Sequence, residues 1–112
     1  MTFKAFDVVV VPFPFTDRTT TKRRPALVLS DETSFNKQVG QSVFAMITSA
    51  SNSDWPLDTH IQDLDTAGLP SPSVVRMKLF TLDDKLVIRK AGVLAKQDIS
   101  TVSSALQQLF AL

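Results

Sequence analysis

For most of the 112-residue chain apolar residues fall in short blocks divided by polar stretches, and the period changes only near the end. Phe6-Asp7-Val8-Val9-Val10-Val11 is rich in β-branched residues, too short for a globular helix and ended by Pro12, which predicts a strand. Its four consecutive valines are expected to be buried on both faces. Pro12-Phe13-Pro14-Phe15 alternates strictly, with both prolines on one side. The phenylalanines share the parity of Val9 and Val11, so core or dimer packing is expected of them. Proline is tolerated only at strand edges or ends, so pairing is expected to stop in this stretch. Thr16 to Arg24 is polar and carries Arg18, Lys22, Arg23 and Arg24, which predicts an exposed basic loop. Pro25–Leu29 predicts a second strand opened by proline, residues 30–41 a polar connection, and Ser42–Ser49 a third strand. A loop follows to Pro56, then a short edge strand over Asp58–Ile61. Gly68-Leu69-Pro70-Ser71-Pro72 punctuates the chain. Ser73–Leu82 predicts a further strand, with Val75, Met77 and Leu79 of one parity and Val74, Arg76, Lys78 and Phe80 of the other. Ile99, Val102, Ala105, Leu106, Leu109 and Phe110 then form the stripe of an amphipathic helix. Asp98 suits the positive end of its dipole, although no capping residue stands near Ala95. Short strands followed by one terminal helix predict a mainly β protein with small α content, a barrel-like sheet closed by that helix.

Composition narrows the chemistry. The length allows one domain, residues 1–112, and the 44% hydrophobic and 21% charged fractions are those of a soluble globular protein. Zero cysteines exclude disulfides, thiolate metal sites and a cysteine nucleophile; a single histidine, His60, excludes a two-histidine acid and base pair within one chain. No cationic, hydrophobic leader opens the sequence and no apolar run approaches ~18 residues, so no membrane association and a cytoplasmic location are expected. The net charge of +1 conceals an uneven distribution. Residues 1–37 hold six Lys or Arg against four acids, residues 38–75 hold none against four, and residues 76–96 hold six against two. Folding could gather the first and third segments into one basic face, as a nucleic-acid site requires; solvated loops would give the same count.

The strongest local signal is a basic turn running into a buried strand, Lys22-Arg23-Arg24-Pro25-Ala26-Leu27-Val28-Leu29. Pro25 fixes its own φ and pushes Arg24 toward the extended region, so this arginine is aimed from a rigid strand start. A held guanidinium presents a planar fork of donors suited to phosphate oxygens. An ordinary exposed arginine at a strand end has the same sequence.

Five segments together resemble the MazF/PemK family of toxins from type II toxin–antitoxin systems: Phe6–Asp17, Lys22–Leu29, Ile47-Thr48-Ser49, Pro72–Arg76 with Thr81-Leu82-Asp83, and the terminal helix. The resemblance implies an SH3-like β-barrel with a C-terminal helix, usually a homodimer, acting as a metal-free, cofactor-free endoribonuclease (an mRNA interferase) on single-stranded RNA or mRNA. It also implies a cognate antitoxin as partner, with DNA binding through the antitoxin complex. The arginine before the strand-opening proline and the threonine of the Ile-Thr-Ser motif place the implied catalytic residues at Arg24 and Thr48. Thr16, Lys22, Arg23, Ser49, Arg76 and Lys78 are the implied substrate-binding set. Such cleavage uses the substrate's own 2′-OH as nucleophile, so the protein need only position the phosphate, move protons and stabilise charge.

One position departs from the pattern. Some members carry a carboxylate for proton transfer two residues after the arginine of the Val-Val-Arg strand, and here that residue is Lys78, which leaves the general base unassigned. Arg76 and Lys78 share a parity and would face either substrate or solvent together. His60, in the acidic stretch, lies outside the matched segments; Trp55 raises base stacking as a further role. Two rival readings are a gyrase poison of the CcdB type, which looks to a tryptophan near its C-terminus whereas the only tryptophan here is Trp55, and a catalytically silent SH3-like interaction module.

Overall fold

Val8, Val9, Val10 and Val11 are all at most 9% exposed, because the strand that carries them has neighbours on both edges and side chains packed on both faces. The computed structural model describes residues 2–13, 22–52 and 54–112. Six strands, β1 (Asp7–Phe13), β2 (Lys22–Val28), β3 (Gln41–Ser49), β4 (Thr59–His60), β5 (Ser73–Asp83) and β6 (Arg89–Val93), form one antiparallel sheet in the order β4-β5-β3-β2-β1-β6. The sheet curls into a half-barrel, and the C-terminal helix completes the mainly β architecture that the sequence predicts.

Strand alternation divides the side chains into two layers. Val8, Leu27, Ala45, Ile47, Val75 and Met77 pack with Val102 and Ala105 of the C-terminal helix, here α3 (Lys96–Phe110) after the short α1 (Lys37–Val39) and α2 (Leu64–Ala67). The opposite parity, Val9, Val11, Ala26, Val28, Phe44 and Leu82, packs with Phe3, and Phe44 stacks on Phe80 with ring centroids 5.2 Å apart. Helix α3 starts without a side-chain cap at Ala95, as its sequence predicts. The buried Asp98 does more than complement the dipole: its carboxylate accepts the Gln62 and Asp63 amides at 2.9 and 3.0 Å, fixing the turn after β4 to the helix. Of the helical stripe, Leu109 and Phe110 remain 38% and 55% exposed.

Two expectations are corrected, and two further segments take on structure that the apolar pattern does not signal. Pairing continues through Pro12 to Phe13. The Val10 carbonyl accepts the Ile88 amide, so Val10 and Pro12 direct their backbone polar groups to the β6 side, where β1 is unpaired beyond Val10; no ladder bond needs the missing N–H. Lys22, Arg23 and Arg24 belong to β2, not to a loop, since each faces β1. The connection at 30–41 contains a helical turn, Glu32–Asn36, running into α1; Asp31 caps it by accepting the Thr33 and Ser34 amides. Finally β6, Arg-Lys-Ala-Gly-Val, has too few apolar residues to signal a strand and is held as an edge by backbone bonds to β1.

Candidate active site

The β2–β3 ladder comprises Val28↔Phe44, Leu27↔Ala45 and Ala26↔Met46, and then stops. Val28 bonds toward β1 and Leu29 toward β3, so by alternation residue 25 should donate its N–H to β3. Residue 25 is proline and has none. The same register carried two residues further sets Arg24 opposite Thr48 across an unpaired seam. Two small pockets open there. One, about 190 Å³, is bordered by Phe13, Arg24, Met46, Thr48, Asn52, Arg76 and Lys78; the other, about 180 Å³, by Arg24, Pro25, Thr48, Ser49 and the Leu69–Ser71 turn.

The half-buried Arg24 lies with its guanidinium carbon 6.0 Å from the Phe13 ring centroid, and among the described residues no carboxylate pairs with it. Its donors are thus available to an anion. Thr48 Oγ1 accepts a hydrogen bond from Asn52 Nδ2, which occupies a lone pair and leaves the hydroxyl hydrogen to donate into the pocket.

Arg76 is differently placed. It is 9% exposed and its fork closes on Asp58, Nε to Oδ1 at 3.2 Å and Nη2 to Oδ2 at 2.9 Å. That hydrogen bonding, opposed by desolvation and aided by the charges of Asp58 and Asp54, raises the guanidinium pKa above its ordinary value. The Arg76 guanidinium lies 6.0 Å and the exposed Lys78 ammonium 4.5 Å from the Trp55 ring centroid, so both cations lie over one aromatic ring. The acidic middle of the chain therefore folds onto the basic face instead of standing apart from it.

The structure brings Arg24, Thr48, Arg76 and Lys78 around one pocket and Ser49 beside it. Lys22 is exposed on the face of Arg24, whereas Arg23, the next residue in the strand, points to the opposite face and borders a different pocket. Thr16 and Phe15 lie outside the described residues. His60 is exposed on β4, in register with Val74 and through it with Thr48, but does not border either site pocket. Asn52, Phe13 and Asp58 enter the site with no signal for it in the sequence: Asn52 comes from a polar loop with no periodicity to place it, Asp58 from the start of the expected edge strand, and Phe13 from a stretch whose parity predicts packing.

A curled antiparallel sheet carries a basic, threonine-bearing seam at one end and a helix across its other face, an arrangement shared with known toxins. The structure superposes with a TM-score of 0.78 on a toxin from a MazE–MazF complex of Deinococcus radiodurans, at 20% identity and covering 100% of this chain and 99% of that one. It matches an endoribonuclease solved with its cognate antitoxin from a mycobacterial species (TM-score 0.76, 14% identity, 99% and 95% covered) and the Mycobacterium tuberculosis toxin MazF-mt6 (0.73, 20%, 95% and 97%). No curated protein matches the chain in sequence. Residues 4–110 match the family model of PemK-like, MazF-like toxins of type II toxin–antitoxin systems, and the chain belongs to that family.

Proposed function

We propose that the chain is a metal-independent endoribonuclease that cuts single-stranded RNA, mRNA included, at short sequence motifs. The observation that carries this reading is the unpaired seam at Pro25, where an arginine with no carboxylate partner among the described residues shares two pockets with a threonine hydroxyl. A scissile phosphate held there receives the Arg24 fork on its non-bridging oxygens and a hydrogen bond from Thr48. The substrate's 2′-OH attacks phosphorus, the bond to the 5′-oxygen breaks, and the products are a 2′,3′-cyclic phosphate and a 5′-OH. Charge grows on the non-bridging oxygens as the pentacoordinate state forms, so preorganised donors stabilise it more than the ground state. Lys78, Ser49 and Lys22 supply surrounding donors for the flanking backbone, and Arg76 does so once its hold on Asp58 is exchanged for phosphate.

The test is purified protein on mixed-sequence RNA in EDTA, with product ends analysed. A 2′,3′-cyclic phosphate supports the reading; a strict Mg²⁺ requirement or a 5′-phosphate rejects it. The same reading includes a homodimer, a cytoplasmic location and a cognate antitoxin that blocks the site and brings the complex to DNA; sedimentation of the purified toxin and co-purification with its antitoxin test these.

A further inference from the structure

Arg23 and Arg24 are adjacent in sequence, but strand geometry sends them to opposite faces of β2. Arg23 borders a separate cavity of about 220 Å³ together with Arg89 of β6, above a floor that includes Val10, Pro25 and Ala91. Pro25, Val10 and Arg89 lie in one row across three strands, with Arg23 two residues along from Pro25. With strands ~4.8 Å apart and ~3.4 Å per residue, the two arginine Cα atoms are on the order of 12 Å apart, a gap that two arginine side chains can close from both sides. Both arginines are exposed, and among the described residues neither has a carboxylate partner. Lys90, next to Arg89 but on the other face, is by contrast paired with the buried Asp7 at 3.3 Å.

The position of this cavity gives it meaning. Pro25, Leu69 and Pro70 border both it and the pocket that holds Arg24 and Thr48, so the two sites share a wall around the open end of β2. That wall is rigid. Gly68 and Gly92 bring the α2 turn against β6 so closely that a Cβ on Gly68 would lie 2.1 Å from the Ala91 carbonyl oxygen. We infer that Arg23 and Arg89 form a second phosphate subsite, which takes the RNA backbone a few nucleotides from the cleaved bond after the strand has crossed the Pro25–Pro70 saddle. This rests on the ribonuclease reading and deepens it: Arg89 becomes a binding residue, and the role of Arg23 is separated from that of Arg24. Apolar proline and leucine surfaces suit the ribose and base edges of a crossing strand, and two forked guanidinium groups suit one phosphate.

The experiment measures RNA affinity by fluorescence anisotropy in an Arg24→Ala background, over a series of mixed-sequence RNAs of increasing length. Arg23→Ala and Arg89→Ala are each expected to weaken binding of the longer RNAs about tenfold, with a loss that grows with length. Removing both should flatten the dependence of log Kd on log salt by ~0.7, the value for one phosphate contact on a single strand, and each alone should flatten it by less. Lys37→Ala removes the same charge from an exposed residue of α1, at the other end of the sheet, and should change affinity less than twofold. Equal losses for Lys37→Ala and Arg89→Ala would overturn the subsite in favour of diffuse attraction. Unchanged RNA affinity in both arginine variants overturns it outright, as does a loss of antitoxin affinity with RNA binding intact, which makes the cavity a peptide site. If wild-type protein neither binds nor cuts RNA, the ribonuclease reading itself fails, a result distinct from RNA cleavage that ignores Arg89.

Discussion

Arg24 and Thr48 border the same two pockets just beyond the end of the β2–β3 ladder, which stops where residue 25, a proline, has no N–H to donate. If these two groups hold the scissile phosphate, Arg24→Ala should reduce cleavage by ~10² to 10³, the usual consequence of losing one preorganised donor to the transition state. Thr48→Val, which keeps the shape and removes the hydroxyl, should reduce kcat more than it raises KM. Both variants should unfold within a few degrees of wild type, since neither residue belongs to the two apolar clusters. A full-rate Arg24→Ala enzyme would end the assignment.

Pro25→Ala separates geometry from chemistry. It restores an N–H on the β3 side and lets the ladder close over the seam, leaving Arg24, Thr48 and the other side chains of the pocket unchanged. Activity should fall by on the order of 10²-fold, as for an ångström-scale misplacement of reacting groups. Hydrogen exchange should show protection of the amide introduced at position 25. Unaltered activity together with a protected amide would mean that the seam has no part in catalysis.

The Asp58 carboxylate neutralises Arg76 on the site face. Asp58→Asn keeps the size of the side chain and removes its charge, so the field available to RNA becomes more positive. RNA affinity should rise severalfold in an Arg24→Ala background and its salt slope should steepen, while Tm falls because the nearly buried guanidinium loses its charged partner. Reduced affinity would show that Asp58 is needed to hold Arg76 in its binding orientation.

Two glycines make a stability comparison. Gly40 has φ +71° with nothing near its missing Cβ, so Gly40→Ala should cost about 1 kcal/mol, the backbone penalty alone. Gly92 has an ordinary φ, but a Cβ there would lie 2.4 Å from the Thr66 carbonyl oxygen, so Gly92→Ala should cost about 3 kcal/mol or more and loosen the wall shared by the two pockets. Urea denaturation of both variants decides it; a smaller loss for Gly92→Ala would contradict the close approach of α2 and β6.

Acid should act partly through Asp63, whose carboxylate caps α2 by accepting the Thr66 amide at 3.0 Å and the Thr66 hydroxyl at 2.7 Å. Those bonds lower its pKa from 3.8. A carboxylate whose folded value is depressed adds stability that is fully present above the unfolded value and disappears as pH falls through the folded one. Asp63→Ala should therefore lose less stability than wild type on titration from about pH 4 downward; parallel curves would rule the cap out.

Sequence alone determined the strands with strong apolar runs, since Val8–Val11, Leu27-Val28 and Val43–Ile47 have no helical reading and a buried layer to fill. It also determined the terminal helix, through the 3.6-residue spacing from Ile99 to Phe110, and the extended Arg24 before a proline. Local rules reach that far because periodicity and proline sterics act within a few residues. What they could not give was the identity of neighbours. Pro25 is only a strand-start signal until the register shows that its missing N–H faces β3. Arg23 and Arg24 look like one basic patch until the pleat sends them to different pockets. Asp58 belongs to an acidic stretch until the loop after β3 carries it onto Arg76, and β6 has almost no apolar signal because an edge strand is held by backbone bonds that any sequence can make. Each of these was settled by pairing between residues distant in the chain, which depends on the whole sheet closing and not on any one segment.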